Sequence, residues 1–185
     1  MIHKTMNIYE ILEQLRKKKT PVFTTNEIAR ISHLKKSCAI VSIKRMVDKG
    51  LLFRVAKGIY ALEQDPFLNA SYIIPNSYIS FNAALYLQKV IDQIPSTIHV
   101  VVPRRVKKKV EGVTFVSLPK KAFFGFEAIK YRGYSLWVAD KEKALIDIAY
   151  KYGHLPHTIE KINKKKLVRY AKLMELKISE QEAIR

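Results

Sequence analysis

Apolar positions along the chain recur at helical spacing in some stretches and alternate or cluster in others, with short polar breaks between them. Ile8, Ile11, Leu12 and Leu15 repeat at helical spacing, Asn7 and Glu10 have capping-box spacing, and Met6 with Ile11 forms a hydrophobic staple, so a helix is predicted over about Ile8 to Lys18. Thr20–Phe23 reads as a short extended segment that pairs with the hairpin below. Thr24 and Glu27 make a second capping box with Phe23 and Ile28 as staple, and Ser32-His33-Leu34 reads as a turn. A further helix runs from about Lys36 to Lys49, with Gly50 as its left-handed stop. On it Ala39, Ile43 and Met46 form a stripe, flanked by Ile40 and Val47, that should face a core. Leu51–Val55 and Ile59–Leu62 then read as two strands around Ala56-Lys57-Gly58. Helix, turn, helix and hairpin together predict a winged helix-turn-helix; a helical hairpin that binds only protein is the alternative.

Glu63-Gln64-Asp65-Pro66 is a polar break, and the reading divides the chain there into a domain over 1–63 and another over 67–185. In the second stretch Ser80 is expected to cap a helix to about Ile91, with Ala84, Leu85 and Leu87 buried. Thr97–Val102 and Val113–Leu118 read as strands stopped by Pro103 and Pro119, and 128–131 with 134–138 as a hairpin about Arg132-Gly133. Asp140 is expected to cap a helix over 141–152 that turns Ala144, Leu145, Ile148 and Ala149 inward and stops at Gly153. A last helix, about 164–176, should bury Leu167, Tyr170, Ala171 and Met174, and Ser179 with Glu182 can start one more turn. The fold class expected is α+β: an N-terminal winged helix-turn-helix followed by a mixed α/β domain with a small sheet of about four strands.

Composition narrows the function. The 185 residues are 48% hydrophobic, as in a folded protein, and the longest apolar runs are too short to cross a bilayer. The N-terminus MIHKTMNIYE has no apolar signal core, and one cysteine, Cys38, forms no intramolecular disulfide, so a cytoplasmic protein is expected. Charge changes the picture more. Thirty-four Lys and Arg against 16 Asp and Glu give +18, and residues 1–62 hold half of it: 13 basic and 4 acidic side chains. Such an excess favours a polyanion, because each phosphate neutralised releases condensed counterions. RNA and an ion-rich surface adapted to heat are other uses of the same charge.

On the 36–49 helix the polar side carries Ser37, Cys38, Val41, Lys44 and Arg45, with Lys35 and Lys36 at its start. Short side chains near the N-terminus come close to base edges in a major groove and cations further along reach phosphates, with Arg54 and Lys57 beside them on the wing. These nine residues are the expected DNA contacts. Arg104, Arg105, Lys107, Lys108 and Lys109 crowd a loop between two strands and form a second basic site, for DNA backbone or RNA, or else a solvated loop.

In chain order, Lys57-Gly58-Ile59-Tyr60, Tyr78-Ile79-Ser80-Phe81-Asn82-Ala83-Ala84-Leu85, Ile98–Pro103 and Val138-Ala139-Asp140-Lys141-Glu142-Lys143-Ala144-Leu145-Ile146-Asp147 resemble the AbiEi antitoxin family, over roughly residues 5–175. The resemblance implies a winged helix that binds inverted repeats in its own promoter and represses it. It also implies a C-terminal domain opposing a nucleotidyltransferase-like toxin in a type IV toxin–antitoxin system. The partners expected are therefore operator DNA, bound as monomer or dimer, and a cognate toxin or that toxin's nucleic-acid target, with no membrane and no cofactor.

The residues also bear on enzymatic chemistry. Asp140, Glu142 and Asp147 are carboxylates of the kind a metal-dependent nuclease uses, but that chemistry needs an acid at a strand end followed by E-x-K on the next strand, and here Lys143-Ala144 follows Glu142. His154 and His157 have i, i+3 spacing, but Leu155-Pro156 lies between them. No Gly-rich phosphate loop, serine elbow or HExxH occurs. Tyr131, Tyr134 and Trp137 can stack bases on a sheet, as in an RNA-binding module, or pack in the core, and core packing is expected. Lys164-Lys165-Lys166 stand at a helix start against its dipole, which favours a functional surface. No catalytic or metal-binding residue is assigned.

Overall fold

In the computed structural model of the protein, residues 6–155 and 162–176 are described; His157, Ser179 and Glu182 lie outside them. The described residues form a mixed α+β protein with seven α-helices and two sheets. They divide into two units: one up to Ile73 together with Lys108–Glu111, the other of Ile74–Lys107 and the residues from Gly112 onward.

In the first unit, α1 spans Ile8–Arg16 and begins at a complete capping box: the Asn7 side chain accepts from the Tyr9 and Glu10 amides, and Glu10 accepts from the Asn7 amide at 2.7 Å. Strand β1 (Val22–Thr24) leads into α2 (Thr25–Ile31), whose capping box joins Thr24 and Glu27. Helix α3 spans Lys36–Asp48, and its chain reverses at Gly50, φ +67°, a conformation glycine adopts without a Cβ penalty. Strands β2 (Phe53–Ala56) and β3 (Ile59–Ala61) complete an antiparallel sheet in the order β1-β3-β2, so Val22–Thr24 does pair with the hairpin. Ile11, Leu15, Phe23, Ile28, Ile43, Met46 and Leu52 interlock as the core of the unit, each nearly free of solvent. The pair α2–α3, joined through His33 in the left-handed region at φ +53°, fits a helix-turn-helix.

Two features of this unit differ from expectation. Ile40 does not flank the core; it is 52% exposed, while Val47 is half-buried against the core cluster. The polar break is followed at once by a further helix, α4 (Pro66–Ile73). Asp65 caps it, its Oδ1 accepting from the Leu68 amide at 3.0 Å, and proline occupies the first helical position, where it has no amide to lose.

The second unit is built on a five-stranded sheet, one more strand than expected, in the order β6-β5-β4-β8-β7. Its elements are β4 (Tyr78–Ser80), α5 (Phe81–Leu87), β5 (Ile98–Val102), β6 (Val113–Ser117), β7 (Phe126–Tyr131), β8 (Tyr134–Ala139), α6 (Lys141–Tyr152) and α7 (Lys164–Leu173). Strands β5–β6 and β4–β8 run parallel, β4–β5 and β7–β8 antiparallel. Arg132 and Gly133 both have positive φ, the geometry of a tight hairpin turn. Ser80 stands at the start of α5 but does not cap it with its side chain, which instead donates to Asp147 Oδ2 at 2.7 Å. Helix α5 stops at Leu87, not near Ile91, and Leu87 is half-buried. Asp140 caps α6 as expected, its Oδ1 accepting from the Lys143 amide at 2.8 Å, and Gly153 ends the helix at φ +82°. From Glu142 to Ala149 every residue of α6 is buried. Trp137 is not core: it stands 51% exposed, edge-on to Phe126, and Tyr131 and Tyr134 are half-buried.

Candidate nucleic-acid interface

Helix α3 holds its two faces apart because Ala39, Ile43 and Met46 are locked in the core of the first unit. Everything the sequence assigned to the other face is exposed: Lys35, Lys36, Ser37, Cys38, Val41, Lys44 and Arg45. Arg54 on β2 and Lys57 in the turn of the hairpin are exposed as well. The tip of that hairpin is anchored, since Gly58 O accepts from the Thr25 amide at 3.0 Å, which fixes the hairpin against the start of α2. The hairpin reverses at Gly58, φ +71°.

Electrostatically the face is unneutralised. Among the described residues, none of Lys35, Lys36, Lys44, Arg45, Arg54 and Lys57 has a carboxylate within ion-pair distance. Helix α3 also starts without a side-chain cap and without an acidic residue in its first turn. Lys35 and Lys36 oppose the helix dipole there, and an anion at that end would reverse the sign of the interaction. The arrangement can therefore hold phosphates along one edge and bring small side chains towards whatever lies between them.

Further cations stand outside α3 and the hairpin. Lys18, Lys19 and Arg30 line a cleft of about 600 Å³ together with Glu27, His33 and Phe23, so the basic residues of the first unit are not confined to α3 and the hairpin. In sequence Arg16-Lys17-Lys18-Lys19 reads as a solvated, dipole-matching helix end or as a contact to the DNA backbone, and the fold brings α2 beside Lys18 and Lys19. Arg104, Arg105 and Lys107 of the second unit, and Lys108 and Lys109, which group with the first, are exposed in the connection between β5 and β6.

The carboxylates that a nuclease would need are committed elsewhere. Asp147 is fully buried in an ion pair with Lys143, and its Oδ2 accepts from Tyr78 at 3.1 Å and from Ser80 at 2.7 Å. Burial pushes the Asp147 carboxyl up against the opposing pull of Lys143, and pushes the Lys143 ammonium down against that of Asp147. Burial, then the Asp147 charge, pushes the Tyr78 phenol up. Glu142 Oε1 accepts from the Asn163 amide at 2.8 Å and its Oε2 lies 3.3 Å from Lys166 Nζ, which also lies 3.1 Å from Asp140 Oδ2. Lys166 thus has a structural partner on α6 and is not a free surface cation; Lys164 and Lys165 are exposed. Among the described residues no group of three or more His, Cys, Asp or Glu side chains is arranged to hold a metal ion, and His154 Nδ1 lies 3.4 Å from the neighbouring Leu155 carbonyl.

Residues 10–62 match the family model described as a transcriptional regulator, AbiEi antitoxin. This segment is AbiEi-like. The match runs from α1 through β3 and takes in the whole exposed face of α3 and the hairpin. The AbiEi resemblance read from the residues is borne out over that range; the motifs at Tyr78–Leu85, Ile98–Pro103 and Val138–Asp147 lie beyond it. No curated protein matches the chain. No helix among the described residues is long and apolar enough to cross a membrane.

Proposed function

We propose that the protein is a sequence-specific, double-stranded-DNA-binding transcriptional repressor, and that its first unit works as a winged helix-turn-helix. Helix α3 enters the major groove, with Ser37, Cys38 and Val41 near the bases and Lys35, Lys36, Lys44 and Arg45 at the phosphates. Arg54 and Lys57 of the hairpin follow the adjoining backbone. The observation that carries this reading is the uncovered face of α3, whose cations have no carboxylate partners among the described residues. The AbiEi match over residues 10–62 supports the same reading and extends it to an autoregulating antitoxin. Its partners are then inverted repeats in its own promoter, bound as monomer or dimer, and a nucleotidyltransferase toxin or that toxin's nucleic-acid target in the same cytoplasm. We assign it no enzymatic activity.

Titration of the upstream promoter duplex with the full chain tests the proposal. Lys44→Ala and Arg45→Ala are each expected to weaken binding to all duplexes and to lower the salt slope by about one. Unchanged affinity and slope in both variants would remove α3 from the interface. Incubation of the same labelled duplex with Mg²⁺ or Mn²⁺ is expected to leave it intact, and cleavage would point to a nuclease instead.

A further inference from the structure

Two apolar residues of α3 stand outside the core. Ile40 and Val41 are adjacent, apolar and β-branched, and they are 52% and 51% exposed. β-branched residues are mediocre helix formers, and apolar surface left in water is unfavourable, so the isolated unit gains nothing from this pair.

Their position on the helix is more informative than their exposure. At about 100° per residue, Ser37, Ile40, Val41 and Lys44 fall within one arc of about 100°, opposite Ala39, Ile43 and Met46. Lys36 borders the arc on one side and Arg45 on the other. Asp48 closes it two turns beyond Val41, about 10 Å along the axis. The face therefore carries Ile40 and Val41 towards its two edges, each beside a flanking cation, with Ser37 and Lys44 between them. A second copy of the same face is a poor occupant, because it would set like charges against one another. The major groove of DNA is complementary: phosphates form both walls, and on its floor thymine alone offers an apolar group, the 5-methyl.

We infer that Ile40 and Val41 read thymine, packing on 5-methyl groups in the major groove while Lys36 and Arg45 reach the phosphates on the two walls. The inference rests on the duplex-binding reading above and adds the base that is recognised and the side chains that recognise it. Specificity then comes from apolar contact, and the cations supply affinity that is indifferent to sequence.

The test begins with selection of duplexes from a random library by the full-length protein. In one enriched duplex each thymine is replaced in turn by deoxyuridine, which removes the methyl and keeps the pairing. At one or two positions the wild-type protein is expected to bind about fourfold more weakly, the equivalent of one buried methyl. Ile40→Ser or Val41→Ser is expected to bind the thymine duplex more weakly and to be blind to the replacement at the matching position. Both side chains are exposed, so the variants keep the core intact. Deoxyuridine tolerated at every position, or a penalty undiminished in both variants, overturns the inference and leaves duplex binding standing. An enriched site without thymine does the same. A library from which no duplex is enriched overturns the regulator reading and this inference with it. If Ile40→Ser instead dissociates a dimer of the free protein in sedimentation, the pair is covered by a second copy and the assignment to thymine fails.

Discussion

Lys143 and Asp147 stand one turn apart on α6, with neither side chain reaching solvent. The ammonium also lies 5.4 Å and 5.0 Å from the ring centroids of Tyr78 and Phe124, and the carboxylate collects the hydroxyls of Tyr78 and Ser80. Two desolvated charges are tolerable only together, because removing one leaves the other buried and uncompensated. Lys143→Met keeps the unbranched stem and deletes the charge, and it is expected to destabilise the second unit by about 3–5 kcal/mol. The double variant with Asp147→Leu should cost less than the sum of the two singles. Trp137 is the one tryptophan of the chain and belongs to the second unit, so guanidinium unfolding followed by its fluorescence measures both. A double variant no more stable than Lys143→Met would show that the hydroxyl network matters more than the ion pair. Gly125 narrows the same site: a Cβ there would stand 2.9 Å from the Tyr170 ring and 3.1 Å from Lys143 Cβ, at φ +67°.

Helices α6 and α7 are held together by a polar clasp at their N-termini. Asp140 accepts from Tyr170 at 3.0 Å and pairs with Lys166, while Glu142 pairs with Lys166 and accepts from the Asn163 amide. Burial alone raises the Glu142 carboxyl, but the Asn163 amide and Lys166 outweigh it and hold the group below its ordinary value of 4.5. A carboxyl held low in the folded state stabilises it fully above that ordinary value and loses the contribution as pH falls through the lower, folded one. Glu142→Gln is therefore expected to cost about 1.5–3 kcal/mol near neutral pH, with the gap from wild type closing below about pH 4.5 in thermal melts. A gap that stays constant to pH 3 would mean that Glu142 acts by shape and not by charge. The clasp also marks the limit of what the sequence discloses about elements. Capping boxes at Asn7 and Thr24, the stop at Gly50 and the cap at Asp140 were legible because each is settled within four residues. The clasp joins residues more than twenty apart, so Lys166 passed for a surface cation. Strand β4 has three residues, all buried, with no alternation to betray it, and Ser80 looked like a helix cap because its partner Asp147 is 67 positions away. Helix α4 was missed although Asp65-Pro66 is a proper start signal, because the same dipeptide also reads as a break. On α3, Ile40 was expected to flank the core because it stands only about 60° from Ile43 around the helix, yet the packing leaves it on the solvent side.

Across the whole chain the surplus of 18 positive charges is shared equally between residues 1–62 and the remainder, a third of the length holding half the excess. If the six cations on α3 and the hairpin each neutralise one phosphate, log affinity falls with log salt at a slope of about −5. The full-length protein is expected to exceed that figure through the exposed cations of the 104–109 loop. Replacing all five with alanine should return the slope to about −5 in titrations between 50 and 200 mM salt. A slope identical with and without them would identify the loop as solvated surface.

The order β6-β5-β4-β8-β7 puts the short strand β4 at the middle of its sheet, and its two neighbours arrive at very different times. Ile79 meets Val100 after some twenty residues of chain but meets Val138 only after nearly sixty. The core of the first unit, by contrast, draws on residues 11 to 52 alone. During synthesis the helix-turn-helix half can close while the other half still awaits its last strands, since non-local pairings carry the larger loop-closure cost. A nascent chain halted near residue 130 would carry a finished α3 on the ribosome beside an open, hydrophobic half-sheet, a natural client for chaperones.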